Sequence, residues 1–583
     1  MKHSIRMLAG MLCAVFLAGS LSACGGTTPA ESAGTGPQEL TDTGTAAPET
    51  AGAAVITFSG TSAAAEGAGA EVTGGTVTVT AGGTYVVTGT AAEGRVIVNA
   101  PGEEVVLVLQ NADITCADGS PLYGYKAARL TVYLAEGSEN TLTDGGSYSF
   151  SDSCSSAAEE EPNACLYAKS DLVIAGSGAL TVRGNYNNGI TGKDTLTIEA
   201  ADLTVTAQNH GITGKDCCTV QNAALRVECG GDALRATNTD DSTLGNIVIT
   251  DSVLDLTAGE DGIQAETALT VTGGSCTVQS GGGSGARLAD GASAKGLKAG
   301  TSLVLAGGNY NLDCCDDAIH SDGSVRIDKG DYVISTGDDG IHAEEALTVA
   351  DGTIDLRRSS EGLEGLTVEI TGGSISIVAS DDGINAADGS GQSGMGGRPG
   401  AFGASSGCAI RISGGVITVD AGGDGIDSNG DITVSGGELY ISGSTGSGDS
   451  AIDCDGSAVI TGGTVVAAGS GGMAQNFGAD STQGCILLSY PSAASGPITL
   501  QDETGRTLVS YTPGKSYHCV VISCPAITQG STYTVTACGQ STSVTMSSLI
   551  YGSGGMGGVP GGRGGDMNIP GGKGGMGGPA GRP

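Results

Sequence analysis

Short runs in which apolar and polar residues alternate recur along most of the chain. Residues 76–80 read TVTVT, 95–99 read RVIVN and 416–420 read VITVD. Alternation with a period of two, rich in β-branched residues and broken by Gly, Asn and Asp, predicts short β-strands with one buried face. No stretch of useful length carries helical spacing. From Asn185 onward the runs fall into phase. Small residues mark the beat at Gly189, Gly211, Ala233, Gly262, Gly296, Ala318, Gly340, Gly362, Gly383, Gly425 and Ala451. Between beats the pattern is G-I-x-A, then L-T-V, then G-G-x-I-x-V, as in GIHAEEALTVADGTIDL and GIDSNGDITVSGGELYI. Three short strands per 22 residues, separated by Gly turns, describe one coil of a parallel β-helix. A single coil cannot bury its inner face, and stacked coils share one core. A leucine-rich repeat is the rival, but no helical segment or asparagine ladder accompanies the period.

The period sets the domain organisation. Residues 54–468 are expected to form the β-helix, with Gly-rich insertions at 281–293 and 388–407, the latter mobile. Beyond about Gly469 the phase is lost. ILLSY, GPITLQDETGRTLVSYTP, HCVVIS and STYTVTACG read as hairpin strands, so 469–550 are expected to cap the open end of the helix. The Gly/Met-rich tail at 551–583 carries no core-forming pattern and is expected to be disordered. At the other end, Lys2, His3 and Arg6 precede an apolar run from Met7 to Ala18 and then Leu21-Ser22-Ala23-Cys24. This resembles a bacterial lipobox, so residues 1–23 are expected to be removed and Cys24 acylated. An ordinary secretory signal with a chance cysteine is the alternative. Residues 24–53 then form a tether, and the protein is exported and held by lipid to the outer face of the cytoplasmic membrane, at the cell surface.

Charge narrows the partners. The formal net charge is −38, so no basic field exists to attract nucleic acid. Aromatic residues make up 3% and Trp is absent, which leaves little flat surface for stacking on crystalline cellulose. Of 17 cysteines, Cys13 and Cys24 belong to the leader and anchor. Cys154 with Cys165, and Cys519 with Cys524, are the best local disulfide pairs. Cys217, Cys218, Cys229 and Cys276 fall inside coils as packing residues. No pair of C-x-x-C motifs suggests zinc.

The acids concentrate on the beat. Asp317, Asp339, Glu361 and Asp382 directly precede it, and Asp316, Asp338 and Asp381 precede three of those. Coils stack about 4.8 Å apart, so neighbouring carboxylates repel by roughly 3 kcal/mol at an effective dielectric of 20. Relief comes from raised pKa values, from solvent or from a cation. Oxygen ligands at this density suit Ca²⁺, and these seven acids are the expected ligands, a solvated acidic edge or Asp used simply to make turns being the alternative. Weaker acidic groups lie at Asp232, Glu260 and Asp261, and at Asp424, Asp427, Asp449, Asp453 and Asp455. Two residues after the beat, alternation places His320, His342, Glu364 and Asn385 outward, with Lys298, Gln264 and Arg235 in the same column on earlier coils. The small beat residue is expected to face outward as well, leaving a shallow lane. His320, His342, Glu364, Asn385, Lys298, Lys295 and Arg235 are the candidate sugar-binding residues; Lys295 also has a plain salt-bridge reading. Tyr310 and Tyr332 share an inward register and are expected to stack in the core.

The phased segments GTYVVTGT, LAEGSENTLTDG, KGLKAG, DDAIHSDG, DDGIHAEE, SSEGLEG and DDGINAAD resemble the bacterial carbohydrate-binding domain-containing family of cell-surface β-helix proteins. That family is similar in fold to polysaccharide lyases acting on pectate. The resemblance spans about residues 54–550. It implies a right-handed parallel β-helix, bound calcium, and binding of plant-type polysaccharide, acidic galacturonans favoured. It does not imply catalysis. Pectate lyases of related fold use a Lys or Arg base beside calcium, and Lys298, or Lys295, is the residue that could serve. A lysine in an anionic setting has its pKa raised, which opposes that role. A structural surface protein stapled by calcium is the third reading, and a monomer is expected throughout.

Overall fold

The computed structural model describes residues 45–289, 291–388 and 407–552. The leader, Cys24 and most of the expected tether, insertion and tail lie outside them. Among the described residues there is no α-helix, and the chain is a succession of short strands. One coil shows the logic. Ile319–Ser321, Ser324–Ile327 and Asp331–Thr336 follow one another round the wall. Each pairs in parallel with its counterpart one coil on: Ile319 with Ile341, Val325 with Leu347, Tyr332 with Ile354. The same relation runs from the coils near Leu122 to those near Ile452, which makes the fold a parallel β-helix.

Alternation puts one residue in two on the axis. Ile190, Ile212, Leu234, Ile263, Leu297, Ile319, Ile341, Leu363, Ile384, Ile426 and Ile452 form one inward column, each buried and each in register with the next. They belong to a single apolar core that runs the length of the helix. Tyr310 and Tyr332 lie inside it as expected, with ring centroids 4.7 Å apart and planes 4° from parallel. The second Gly of the G-G turn takes a left-handed conformation, with φ of 87° at Gly415 and 84° at Gly437, which a side chain rarely adopts.

The two ends are closed differently. At the start, Ala54–Gly60 folds back on Ser62–Glu66, and Ala70–Thr73 on Thr76–Val79, both antiparallel. These hairpins were not evident in the alternation pattern, which reads the same for either strand direction. At the far end, Thr464–Gly469 pairs antiparallel with Tyr517–Ser523, and that strand with Cys485–Ala494. A four-stranded antiparallel sheet of Ile498–Gln501, Thr507–Tyr511, Thr532–Ala537 and Gln540–Thr545 carries a separate core. Antiparallel strands thus cover Thr464–Gly469 at the far end and the first strands at the start.

The expected disulfides do not form: Cys154, Cys165, Cys519 and Cys524 are all unbridged. Cys165 faces the helix core, whereas Cys154 packs outside the wall against Ile97, Tyr123, Ala164 and Tyr167. Cys519 faces the helix core and Cys524 the core of the cap. Each proposed pair is therefore divided between two separate packing environments. Cys217, Cys218, Cys229 and Cys276 are buried packing residues as the repeat phase indicates.

Candidate functional site

Two columns run side by side along one corner of the helix. The first is the residue before the beat: Asn188, His210, Asp232, Asp261, Lys295, Asp317, Asp339, Glu361, Asp382 and Asp424. Most of its members do the same local task. One side-chain atom accepts the backbone N–H of the equivalent residue on the next coil: Asn188 from His210, His210 from Asp232, Asp232 from Asp261, and Asp261 from Lys295. Asp317 accepts from Asp339 at 3.1 Å, Asp339 from Glu361 at 3.0 Å and Asp382 from Asp424 at 2.6 Å; Asp424 accepts from Ser450. An N–H at a tight corner has no strand partner and needs such an acceptor. The acid on the beat thus has a structural duty that the sequence offered only as the plain turn alternative. One carboxylate oxygen is used by it, and the other is left to face the second column.

The second column is the outward residue two after the beat. In register it runs Thr191, Thr213, Arg235, Gln264, Lys298, His320, His342, Glu364, Asn385, Asp427 and Asp453. The expected neighbours therefore share one line, and it continues into Asp427 and Asp453, which the sequence had grouped only loosely. The lane between columns is not the expected one. A Cβ at Gly340 would sit 2.5 Å from Leu356 Cδ2 and 2.6 Å from the Gly362 carbonyl oxygen, and Ala318 is wholly buried. The beat residue faces the core, and it is small because the third strand fills that space. His320 and Asn385 are correspondingly buried, with only 6% and 7% of their surface exposed.

Charge changes sign along the corner. In the upstream coils the acids are paired. Arg235 lies 3.6 Å from Asp232 and donates through Nε to Thr213, and Lys298 lies 3.4 Å from Asp261. Lys295 reaches forward one coil to Asp316 at 2.8 Å and Asp317 at 2.6 Å. Asp316, Asp317 and Asp338 bring oxygens within 4.8 Å of one another, but a lysine ammonium already neutralises Asp316 and Asp317. Burial alone would raise the Asp317 pKa. Contacts with His320 and His342 and the Lys295 charge outweigh it and hold the carboxyl well below its usual range. Burial lowers the Lys295 pKa, but Asp317 and Asp316 more than reverse this, so its ammonium is retained.

In the middle, the His342 ring is surrounded by Asp317, Asp339, Glu344 and Glu364 at 3.7 to 3.9 Å. Burial opposes its charge, but Asp317, Glu364 and Asp339 raise its pKa to about 9. Downstream, among the described residues, Glu361, Asp381, Asp382, Asp424, Asp427, Asp449, Asp453 and Asp455 make no ion pair with lysine or arginine. Burial first, then one another's charges, push Glu361 and Asp424 up to about 7, Asp382 to about 6 and Asp427 to about 8. Asp339 and Glu364 move in the same direction for the same reasons. Asn385 relieves part of this by donating to Glu361 at 2.7 Å. The donor set is made of hard carboxylates, each raised in free energy by its neighbours, and a divalent cation would relieve that repulsion.

Comparison with known proteins finds the following similarities. A carbohydrate-binding domain-containing protein of Acetivibrio thermocellus is 39% identical over 124 residues, which is 21% of this chain and 42% of that protein. The match thus spans about two fifths of the relative's length. A solved structure described as a polysaccharide lyase-like protein from C. thermocellum, a gadolinium derivative, is 26% identical and covers 47% of this chain and 96% of its own, with a TM-score of 0.38. The family described as "Carbohydrate-binding domain-containing protein" matches residues 73–340 and 326–450, which take in the charged corner as far as Asp449, and the chain belongs to that family.

Proposed function

We propose that this protein is a calcium-dependent polysaccharide-binding lipoprotein of the cell surface, with acidic galacturonans such as polygalacturonate as the favoured ligand. The observation that carries the reading is the run from Glu361 through Asp382, Asp424 and Asp427 to Asp453. These half-buried carboxylates face one corner, lack lysine or arginine partners among the described residues, and are pushed upward by one another's charge. Calcium held there takes oxygens from the protein and leaves coordination positions for carboxylates or hydroxyls of a sugar chain. An acidic polymer would otherwise be repelled by a chain of net charge −38. The paired upstream residues Arg235, Lys295 and Lys298, with the histidines, give hydroxyl and carboxylate partners beside the bridge. Acylated Cys24 in the Leu21-Ser22-Ala23-Cys24 motif supplies the anchor.

The reading is binding rather than cleavage. A β-eliminating lyase needs an unprotonated base, and the two candidates sit against carboxylates: Lys298 3.4 Å from Asp261, Lys295 between Asp316 and Asp317. The test pairs wild type with the Asp424→Asn/Asp427→Asn double variant. Polygalacturonate binding in calcium is expected to fall at least tenfold in the variant, with no growth of ultraviolet absorbance from unsaturated products in either protein. Equal binding by the variant overturns the assignment of the bridge. Product formation that disappears in Lys298→Ala would establish a lyase instead. Release of a Cys24→Ser protein from membranes checks the anchor.

A further inference from the structure

A second metal site, of different chemistry, lies one coil above the acidic run. We propose that Asp317, His320 and His342 form a centre for a transition-metal ion such as Zn²⁺, separate from any calcium. The three residues come from two adjacent coils. Asp317 and His320 are three apart on one, and His342 stands in register with His320 on the next. Each offers one ligand atom, and the three atoms lie within 4.8 Å of one another. Asp317 Oδ2 is 2.9 Å from His320 Nδ1 and 3.7 Å from His342 Nδ1. Tetrahedral coordination with bonds of about 2.0–2.1 Å requires ligand atoms about 3.3–3.4 Å apart. The two observed separations bracket that value, so small side-chain shifts suffice.

The state of His320 points to a ligand. Its Nε2 lies 3.0 Å from Asp322 Oδ1, and a carboxylate can only accept, so Nε2 carries a proton. In the neutral ring Nδ1 then holds a lone pair. That atom is buried, and it makes no hydrogen bond despite its closeness to the Asp317 oxygen, which lies out of line for one. The His320 side chain as a whole is more than nine-tenths buried. Either a second ring proton or a metal ion must lie between Nδ1 and the Asp317 oxygen 2.9 Å away, and a metal ion takes that place by displacing the proton. The arrangement of Asp322, His320 and the vacant direction at Nδ1 is that of an oriented imidazole ligand, with Asp322 as the positioning residue. The ring of His342 crosses that of His320 edge-on at 5.0 Å and is the more exposed of the two, which gives the ion its way in. Two imidazole nitrogens select against calcium, which takes oxygen, and favour zinc, copper, nickel or cobalt. The Lys295 ammonium shares Asp317 with the site and has Asp316 as its second partner, so the acid pair stays neutralised when the ion takes Oδ2.

The full chain titrated with Co²⁺ is expected to develop the intense visible bands of a four-coordinate nitrogen–oxygen site at one equivalent. Zinc is expected to bleach them, and a large excess of calcium to leave them in place. His320→Ala and His342→Gln are expected to abolish the bands, and Asp322→Ala to weaken cobalt affinity by about 10–100-fold. Asp322 is largely exposed, so this variant keeps the fold intact if either histidine variant does not. The Asp427→Asn protein is expected to bind cobalt as wild type does. Absence of the bands, their loss to calcium, or unchanged cobalt affinity in both Asp322→Ala and His320→Ala would overturn the proposal.

Discussion

Replacing Asp427 by Asn should change sign in its effect on stability according to pH and calcium. Burial, then Asp382, Asp424, Asp453 and Asp455, raise the Asp427 pKa from 3.8 to about 8. The unfolded chain releases this proton near pH 4, whereas the folded chain keeps it to about pH 8. Between those values folding takes up a proton, so stability falls as pH rises. A shift of about 4 units corresponds to a ceiling of about 6 kcal/mol at 1.36 kcal/mol per unit. The carboxylate is partly exposed, and solvent and salt screen its neighbours, so a working value is about 2 kcal/mol. At pH 3, below both values, the acid is protonated in the folded and unfolded chain alike, and Asp427→Asn should melt with wild type. At pH 9 in chelator the variant should be the more stable by about 2 kcal/mol, roughly 2 °C for roughly 500 ordered residues. With millimolar calcium at pH 9 the order should reverse, because the variant has lost a ligand. Thermal melts in the three conditions read all three signs. A variant less stable than wild type in chelator at pH 9 would refute the electrostatic account of the column. A variant that gains as much from calcium as wild type does would refute the bridge.

Other perturbations separate the remaining parts of the account. Lys295→Ala leaves Asp316 and Asp317 facing each other without their shared cation, and calorimetry should show a loss of about 3–5 kcal/mol. Tyr332→Ala removes one of two rings stacked in the core and should cost about 3–5 kcal/mol by denaturant titration, with glycan affinity of the folded protein unchanged. Gly340→Val must place methyl groups where Leu356 and the Gly362 carbonyl already lie, and a lowered denaturation midpoint of about 1–3 kcal/mol is expected. The same position holds Ala in the neighbouring coil, so Gly340→Ala should cost less than Val.

The helix was legible because its coils repeat. An inward Ile or Leu one residue after each beat and strict alternation elsewhere leave one way to bury the apolar face, and Ile319, Ile341 and Leu363 stack as that pattern requires. The outward column was legible from the same phase, which put His320, His342, Glu364 and Asn385 in one line. Three features were not legible. Alternation carries no strand direction, so the hairpins at 54–79 were invisible to it. The period counts residues but not the path of the backbone round a corner, so Gly340 and its equivalents were expected outward when they face Leu356 and its equivalents. Charge compensation depends on which coil a long side chain reaches. Lys295 stands in the acid position of its own coil, yet its ammonium lies on Asp316 and Asp317 of the next, which moves the uncompensated acids downstream to Glu361–Asp453. A lysine in that position of KGLKAG, one period before DDAIH, was the signal available for it.

The central claim is that a cation held by the downstream acids joins this protein to an acidic polysaccharide. Its most direct test is the affinity of the full chain for polygalacturonate, measured as calcium is raised from chelator to millimolar. The account predicts no binding in chelator, saturable binding as calcium rises, and no recovery when sodium chloride replaces calcium at high concentration. Binding that persists unchanged in chelator would contradict it.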